Sequence, residues 1–434
     1  MRFFSTNKRI KKISLKQVLL SGLASDGGLF MPAGFPKLPK VFFQHLKKNS
    51  FQKIAGKVAR QFISEIPTKA LSRIIAQSFN FSAPLRYLKD NVYILELFHG
   101  PTMAFKDFGA RFLSRAMGQF LKSTKQPLNI IVATSGDTGS AVASGFFKVP
   151  NIRVFILYPS GKVSPLQEKQ LTTYGHNITA IEVKGSFDDC QKLAKQVLAD
   201  KELNRSMKFS SANSINFGRL LPQSFYYFWA VAQLQKKGVH QSPVIVVPSG
   251  NFGNLFAGLM AKKMGLPIKK FVAATNGNNV VPKYLQTGLF RPAKSKHTIS
   301  NAMDVGNPSN FARMQNMYHN KHRLMAKDIA AFSISDSQTR QTIKATCWQT
   351  GYILDPHTAV GVTAAYRYNQ NNPSGAPIIV LSTAHPAKFK EIVEPVINKK
   401  INLPKQLRAA MKKKKKSIAV PANYIKLRKV LLSL

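Results

Sequence analysis

Lys106 stands in the run His99-Gly100-Pro101-Thr102-Met103-Ala104-Phe105-Lys106-Asp107-Phe108, just after an apolar segment at 92–98. An amine held against apolar rings loses hydration, which favours its neutral form. A neutral amine attacks an aldehyde and forms a Schiff base. In a chain with 64 Lys plus Arg, the same ten residues also describe a surface lysine at a loop edge. Gly-rich segments elsewhere decide between the two readings.

The first is Ser249-Gly250-Asn251-Phe252-Gly253-Asn254, which follows an apolar strand pattern and opens a helical one. Glycines let successive amides converge on an anion, and a helix N-terminus adds positive partial charge. A phosphate monoester is the natural guest. No Gly-Lys-Ser/Thr closes the segment, so it is not a P-loop. The second is Ser135-Gly136-Asp137-Thr138-Gly139-Ser140, with backbone amides and three hydroxyls suited to a substrate carboxylate. Asp137 argues against a phosphate lying directly on that loop. Gly-x-Ser-x-Gly is absent, which disfavours Ser135 or Ser140 as a nucleophile. Ser382-Thr383 ends another apolar run. A hydroxyl there can bond a heterocyclic nitrogen without forcing its protonation, or it can simply cap a helix. His357 and His385 read as structural histidines, and no His/Asp/Glu cluster has metal-ligand spacing, so no catalytic metal is expected. A lysine, a phosphate cup, a carboxylate loop and a hydroxyl are the parts that hold pyridoxal phosphate and an amino acid.

These residues need elements to position them. Residues 14–23, 51–62 and 68–79 carry helical apolar spacing, with a turn at 25–30. Further on, short apolar runs at 129–133, 154–158, 244–247 and 378–381 alternate with helical stretches. This predicts an α/β protein: two parallel-sheet domains around a cofactor cleft, preceded by a helical N-terminal domain. Ligands then bind at the carboxyl ends of strands, where the polar loops fall. The expected partition is 1–95 for the N-terminal domain, 96–130 with 225–400 for the large domain, 131–224 for the small domain, and 401–434 for a basic C-terminal tail or helix.

The bulk numbers narrow the class. An apolar fraction of 44% and 10% aromatics are those of a globular chain. Cys190 and Cys347 are far apart, which disfavours a disulfide framework and fits a reducing compartment, the cytoplasm. No apolar run is long enough to span a membrane, and the basic stretch 1–12 is not followed by a signal-peptide core. A net charge of +46 predicts non-specific, salt-sensitive polyanion contacts and no specific nucleic-acid role. Lys412 to Lys416 form an unbroken lysine run, read as a solvated surface. Six of the 18 acids (Asp26, Glu96, Asp107, Asp137, Asp304 and Asp355) lie in distinctive segments, as expected if acids persist where a site or turn needs them.

The chain resembles the threonine synthase family, pyridoxal-phosphate enzymes of the tryptophan-synthase-β-like fold (fold type II). The resemblance runs through Phe4-Ser5-Thr6, residues 22–30, the Lys106 run, 135–141, 211–216 with 218–223, 248–254, 302–310, 354–361 and 381–389, in order along the chain. It implies that Lys106 carries the cofactor, that Gly250, Asn251, Phe252, Gly253 and Asn254, with Ser249, hold its phosphate, and that Thr383 meets the pyridine nitrogen. Ser135, Gly136, Asp137 and Thr138 would bind the substrate carboxylate. Asn213 and Arg219 would lie near the substrate, with Arg219 either on its phosphate or in a structural ion pair. The implied reaction, the last step of threonine biosynthesis, takes O-phospho-L-homoserine and water to L-threonine and phosphate. Two alternatives share the residues: a phospholyase releasing 2-oxobutanoate, ammonia and phosphate, and a degenerate fold kept for polyanion binding. The sequence departs from the family's opening, with Asn7-Lys8 where Arg-Gly is usual. That puts any substrate-side role of the arginine in question. Composition leaves monomer and dimer both open.

Overall fold

The computed structural model describes residues 1–124 and 126–434. Two sheets organise them. The larger has six strands in the order Ile329–Ser333, Lys270–Thr275, Val244–Pro248, Ile378–Ser382, Val92–Glu96 and Leu85–Lys89. Its pairs are parallel except the last, an antiparallel edge. The smaller has five parallel strands in the order Ile418–Pro421, Ile178–Lys184, Ile152–Pro159, Leu128–Ala133 and Phe209–Ser211. Val244–Pro248 and Leu128–Ala133 are buried at every residue, as continuous apolar strands must be when helices cover both faces.

The helix Phe217–Lys236 is the packing axis. It is buried along most of its length and lies against both Lys106–Phe120 and Gly253–Lys263, the helices that begin at the two cofactor motifs. Aromatic rings lock this contact. Phe108 and Phe112 pack on Phe79, Phe225 stacks edge-on to both Phe79 and Phe112, and Tyr226 meets Phe108. Each such pair adds roughly 0.5–1.5 kcal/mol beyond burial, so the cluster fixes where the two helix N-termini point.

The N-terminal helices form where the apolar spacing placed them, at Leu15–Ser21, Phe51–Arg60 and Thr68–Ser78. Ser14 and Ser50 cap the first two, and Gly22 ends the first at φ 73°. The expected partition differs from the structure in four places. The N-terminal unit also holds a small antiparallel sheet of Ile13–Ser14, Arg2–Ser5 and Phe30–Pro32. Leu85–Lys89 and Val92–Glu96 belong to the large sheet, so a break at 95 cuts through a core strand. A break at 130 likewise divides Leu128–Ala133. Finally, 401–434 holds the helices Lys405–Met411 and Tyr424–Leu432, and between them Ile418–Pro421 supplies an edge strand to the small sheet. Strand pairing is long-range, and local pattern cannot show it.

The lysine run leading to that strand is also more than a solvated face. Lys415 reaches Glu168 at 2.7 Å and Glu182 at 2.6 Å. Lys8 adopts φ 59°, the left-handed conformation in which glycine costs least. The neighbouring Asn7 bonds the Asp26 carbonyl and lies outside the cavity described below.

Candidate active site

Between the sheets, at the carboxyl ends of their strands, lies a cavity of about 1060 Å³. Every residue expected at the site lines it apart from Gly136, which lies within the loop that does.

Lys106 is the first residue of Lys106–Phe120. The turn before it is built around Asp107, whose buried carboxylate accepts from the Thr102 amide and hydroxyl, each at 2.8 Å. A Cβ at Gly100 would collide with that side chain, so the turn requires glycine there. The Phe105 amide donates to the Thr383 carbonyl at 2.9 Å, and the His385 amide donates to Met103. These bonds tie the lysine turn to the end of Ile378–Ser382, so the amine and the Thr383 hydroxyl move as one unit. Burial pushes the Lys106 amine down to about 8; Asp137 opposes this, while Lys388 and Arg219 assist. The ring of Phe108 packs in the aromatic core against Phe79, Phe81 and Tyr226.

The 249–254 turn fits a phosphate. The amides of Gly250, Asn251, Phe252, Gly253 and Asn254 donate to no acceptor among the described residues. A Cβ on Gly250 would stand 2.6 Å from Met303 Cα, so only glycine lets the chain pass there. Phe252 holds φ 59° as the residue before Gly253–Lys263. The Asn251 side chain is used structurally, donating to Ser214 Oγ at 2.6 Å and accepting from the Ser309 amide. The carboxamide oxygen of Asn254 accepts from Tyr226 and Tyr227, leaving its buried Nδ2 without an acceptor. Ser249 contributes less than expected, because its hydroxyl donates to Val247 and its amide to Ala274. An orphaned buried donor, free amides and the absence of any acidic residue suit a phosphate dianion.

The 134–138 turn is different. Amides of Ser135, Asp137 and Thr138 are free among the described residues, while Thr134 Oγ1 accepts from Gly136 and Gly139. Of the three hydroxyls, Ser140 is buried and donates to Gly136, so two remain. Asp137 pairs with Lys388 at 2.6 Å and accepts from Gln167 at 2.9 Å. Burial opposes ionisation of Asp137, yet Lys388 and Lys106 hold its carboxyl well below the usual range. Lys388 had no place in the sequence reading. Its only signal was a position five residues beyond Thr383.

Asn213 bonds the Ala133 backbone, donating from Nδ2 at 2.9 Å. Arg219 is buried and donates to the Ala212 carbonyl at 2.6 Å, with Nε unpartnered and, among the described residues, no carboxylate within ion-pair distance, although the Asp107 charge acts on it from further off. The ion-pair alternative for Arg219 therefore falls away. A second buried guanidinium, Arg313, was missed. It binds the carbonyls of Phe30, Ser214 and Ile215 together with Asn310, joining the N-terminal unit to the 213–216 loop.

The histidines are structural, as read. His357 Nδ1 meets Asp355 at 2.8 Å and its Nε2 accepts from the Ala302 amide. His385 caps Pro386–Phe389 by accepting from Ala387. Neither Ser382 nor Thr383 is a cap, and Ser382 is occupied by Thr358 at 2.8 Å, which singles out Thr383. The six acids are all engaged. Asp26 accepts from Ser5 and Gly28, Glu96 meets His99 and Tyr352, and Asp304 accepts from Thr298 and Asn276. No metal-competent group of His, Cys, Asp or Glu occurs among the described residues.

Known proteins agree with this architecture. Residues 77–384 match the pyridoxal-phosphate dependent enzyme family. The fold and site therefore define a pyridoxal-phosphate enzyme, and the free amides at 250–254 are the part of the structure that fits that cofactor's phosphate. Residues 2–79 match the threonine synthase N terminus, and 358–431 the threonine synthase C-terminal family. Threonine synthase of Serratia marcescens is 42% identical over 435 residues, covering 100% of each chain. The crystal structure of threonine synthase from Escherichia coli superposes with a TM-score of 0.91 at 40% identity, covering 100% of both chains. A pyridoxal-phosphate-bound threonine synthase from Brucella melitensis gives 0.93 at 33% identity, covering 99% and 98%. The chain belongs to the threonine synthase family. It is a pyridoxal-phosphate-dependent lyase, and its activity is that of a threonine synthase, not of the phospholyase alternative.

Proposed function

We propose that Lys106, Thr383 and the 250–254 amides hold the cofactor, and that 135–138, Asn213 and Arg219 hold O-phospho-L-homoserine. One observation carries this reading: a desolvated lysine, a charge-free amide cup and an unpaired buried guanidinium line the same cavity. When bound, the cofactor supplies an electron sink for negative charge at the substrate Cα. The rest is the work of the chain. Gly250, Asn251, Phe252 and Gly253 donate to the ester phosphate, with Asn254 Nδ2 as a side-chain donor. The Thr383 hydroxyl meets the ring nitrogen as a neutral partner, so it does not fix that nitrogen's proton. Lys106 Nζ, which burial lowers to about 8, takes the proton from Cα and serves Cβ as well, where a second proton leaves as the Cγ–O bond to phosphate breaks and where water then adds. Ser135 and Thr138 offer amides and hydroxyls to the substrate carboxylate. Arg219, with only Ala212 as partner, receives the departing phosphate through its remaining N–H groups.

The six-stranded sheet is the frame of the cofactor domain and the five-stranded sheet that of the substrate domain, with the N-terminal unit packed on the Phe217–Lys236 helix. The compartment is the cytoplasm, supported by two unpaired buried cysteines. No helix among the described residues is long and apolar enough to cross a membrane. Polyanion contacts stay non-specific, a consequence of charge alone. The test is an absorbance spectrum of the purified protein before and after phosphohomoserine, with phosphate and threonine measured in parallel. Threonine in step with phosphate is the expected result. Phosphate accompanied only by 2-oxobutanoate overturns the reading.

A further inference from the structure

The 134–138 turn poses a problem that the 249–254 turn does not. It is placed to accept a carboxylate, yet it carries a carboxylate of its own. The structure shows what faces Asp137. Lys388 Nζ lies 2.6 Å from Asp137 Oδ1, with side-chain exposures of 0% and 5%. The same ammonium donates to the Thr102 carbonyl at 3.0 Å, and Thr102 wraps Asp107, the residue after Lys106. Gln167 Nε2 donates to Asp137 at 2.9 Å. Lys388 thus joins three pieces: the segment following Thr383, the lysine turn, and the carboxylate loop on the other sheet. A surface ion pair does none of this, and a buried one can cost more in desolvation than its attraction returns unless further hydrogen bonds complete it, as Gln167 and the Thr102 carbonyl do here.

We propose that Lys388 is a positioning residue for the reaction, counterbalancing the charge of Asp137 and pinning the 135–138 loop to the Lys106 turn so that the loop accepts the substrate carboxylate. This rests on the assignment of that loop to the carboxylate. Charged groups around the pair are Lys106 and Asp107 on the first turn of Lys106–Phe120, Arg219 on Phe217–Lys236, and His385 beside Lys388 itself. Besides Lys388, Lys106 and Arg219 are the cations here. Lys106 has its own chemistry and Arg219 no contact with Asp137, so Lys388 is the dedicated counter-charge.

The test compares two ligands on the holoenzyme, each read from the change in cofactor absorbance. L-Norvaline carries a carboxylate, and n-butylamine is the same skeleton without it. Lys388→Met strands a buried negative charge facing the ligand and is expected to weaken norvaline by at least about tenfold while moving butylamine less than about twofold. Adding Asp137→Asn removes that charge and should restore norvaline to within about threefold of the parent. Equal weakening of both ligands, or no rescue in the double variant, overturns the proposal, since a merely structural lysine would behave in that way. Should Lys388→Met fail to fold, Asp137→Asn alone decides. It leaves a cation beside the loop and should keep or tighten norvaline binding, and a loss of about tenfold or more refutes the idea. If the parent enzyme itself shows no preference for norvaline, the loop assignment fails and takes this inference with it, an outcome distinct from failure of Lys388 alone.

Discussion

Residues 249–254 and 134–138 each follow a buried parallel strand and open a helix, and each leaves a row of backbone amides free. They differ in charge and in what braces them. The first has no ionisable side chain and is braced by backbone and by neutral side chains, with Met303 Cα against Gly250, Asn251 bound to Ser214 and Asn254 bound to Tyr226 and Tyr227. The second contains Asp137 and is braced by side chains, Gln167 and Lys388. A rigid, neutral cup suits a dianion that stays through every turnover. A side-chain-braced loop with a compensated charge suits a ligand that must come and go.

That contrast can be broken at several points. Both turns serve one amine, so Lys106→Ala should have the largest effect, lowering turnover at least about 1000-fold and removing the visible absorbance while circular dichroism stays unchanged. Gly250→Ala places a methyl against Met303 backbone and should weaken cofactor retention by about 100-fold, measured by dialysis and re-addition. Gly136→Ala tests the other turn. Its φ of 143° and the Gln167 side chain make it strained, but the clash is with a movable group. It should raise KM for phosphohomoserine by about tenfold and leave cofactor affinity intact. If both glycine variants lose cofactor equally, the division between the turns is wrong.

Smaller effects sharpen the comparison. In the apoprotein the Lys106 amine should react with a small acylating reagent along a curve centred near pH 8, well below an ordinary lysine. The sign follows from burial: the charged form is disfavoured, so the folded protein releases this proton at lower pH than the unfolded chain. Stability from this group therefore rises as pH climbs from about 8 towards the unfolded value of 10.5. Lys415→Ala should cost about 1 kcal/mol in chemical denaturation, because its partners Glu168 and Glu182 are partly exposed. Turnover should be unaffected.

The parts of the site that are runs of neighbouring residues were legible in sequence. Gly250 and Gly253 announce a close-approach turn, and Lys106 follows its apolar strand. Resemblance carried the order of the motifs. Where sequence fell short, the missing partner came from far along the chain. Lys388 lies 251 residues from Asp137 (388 minus 137), and Arg313 lies 283 from Phe30. Ser249 looked like a donor until its hydroxyl was found on Val247. The lysine run at 412–416 looked like pure surface because nothing local marks Ile418–Pro421 as a strand, and parallel pairing with Ile178–Lys184 makes it one.

Sequence by itself determined the chemistry available: one lysine after an apolar strand, two glycine turns at strand ends, and apolar runs that must be covered on both faces. Those are local consequences of backbone sterics and hydrophobic period. Tertiary structure alone decided which charges cancel. The pairing of Asp137 with Lys388, the seating of Arg219 on the Ala212 carbonyl, and the placement of Phe108 in the core each depend on groups brought together by the fold. Electrostatic energy follows distance and burial, and neither is written along the chain.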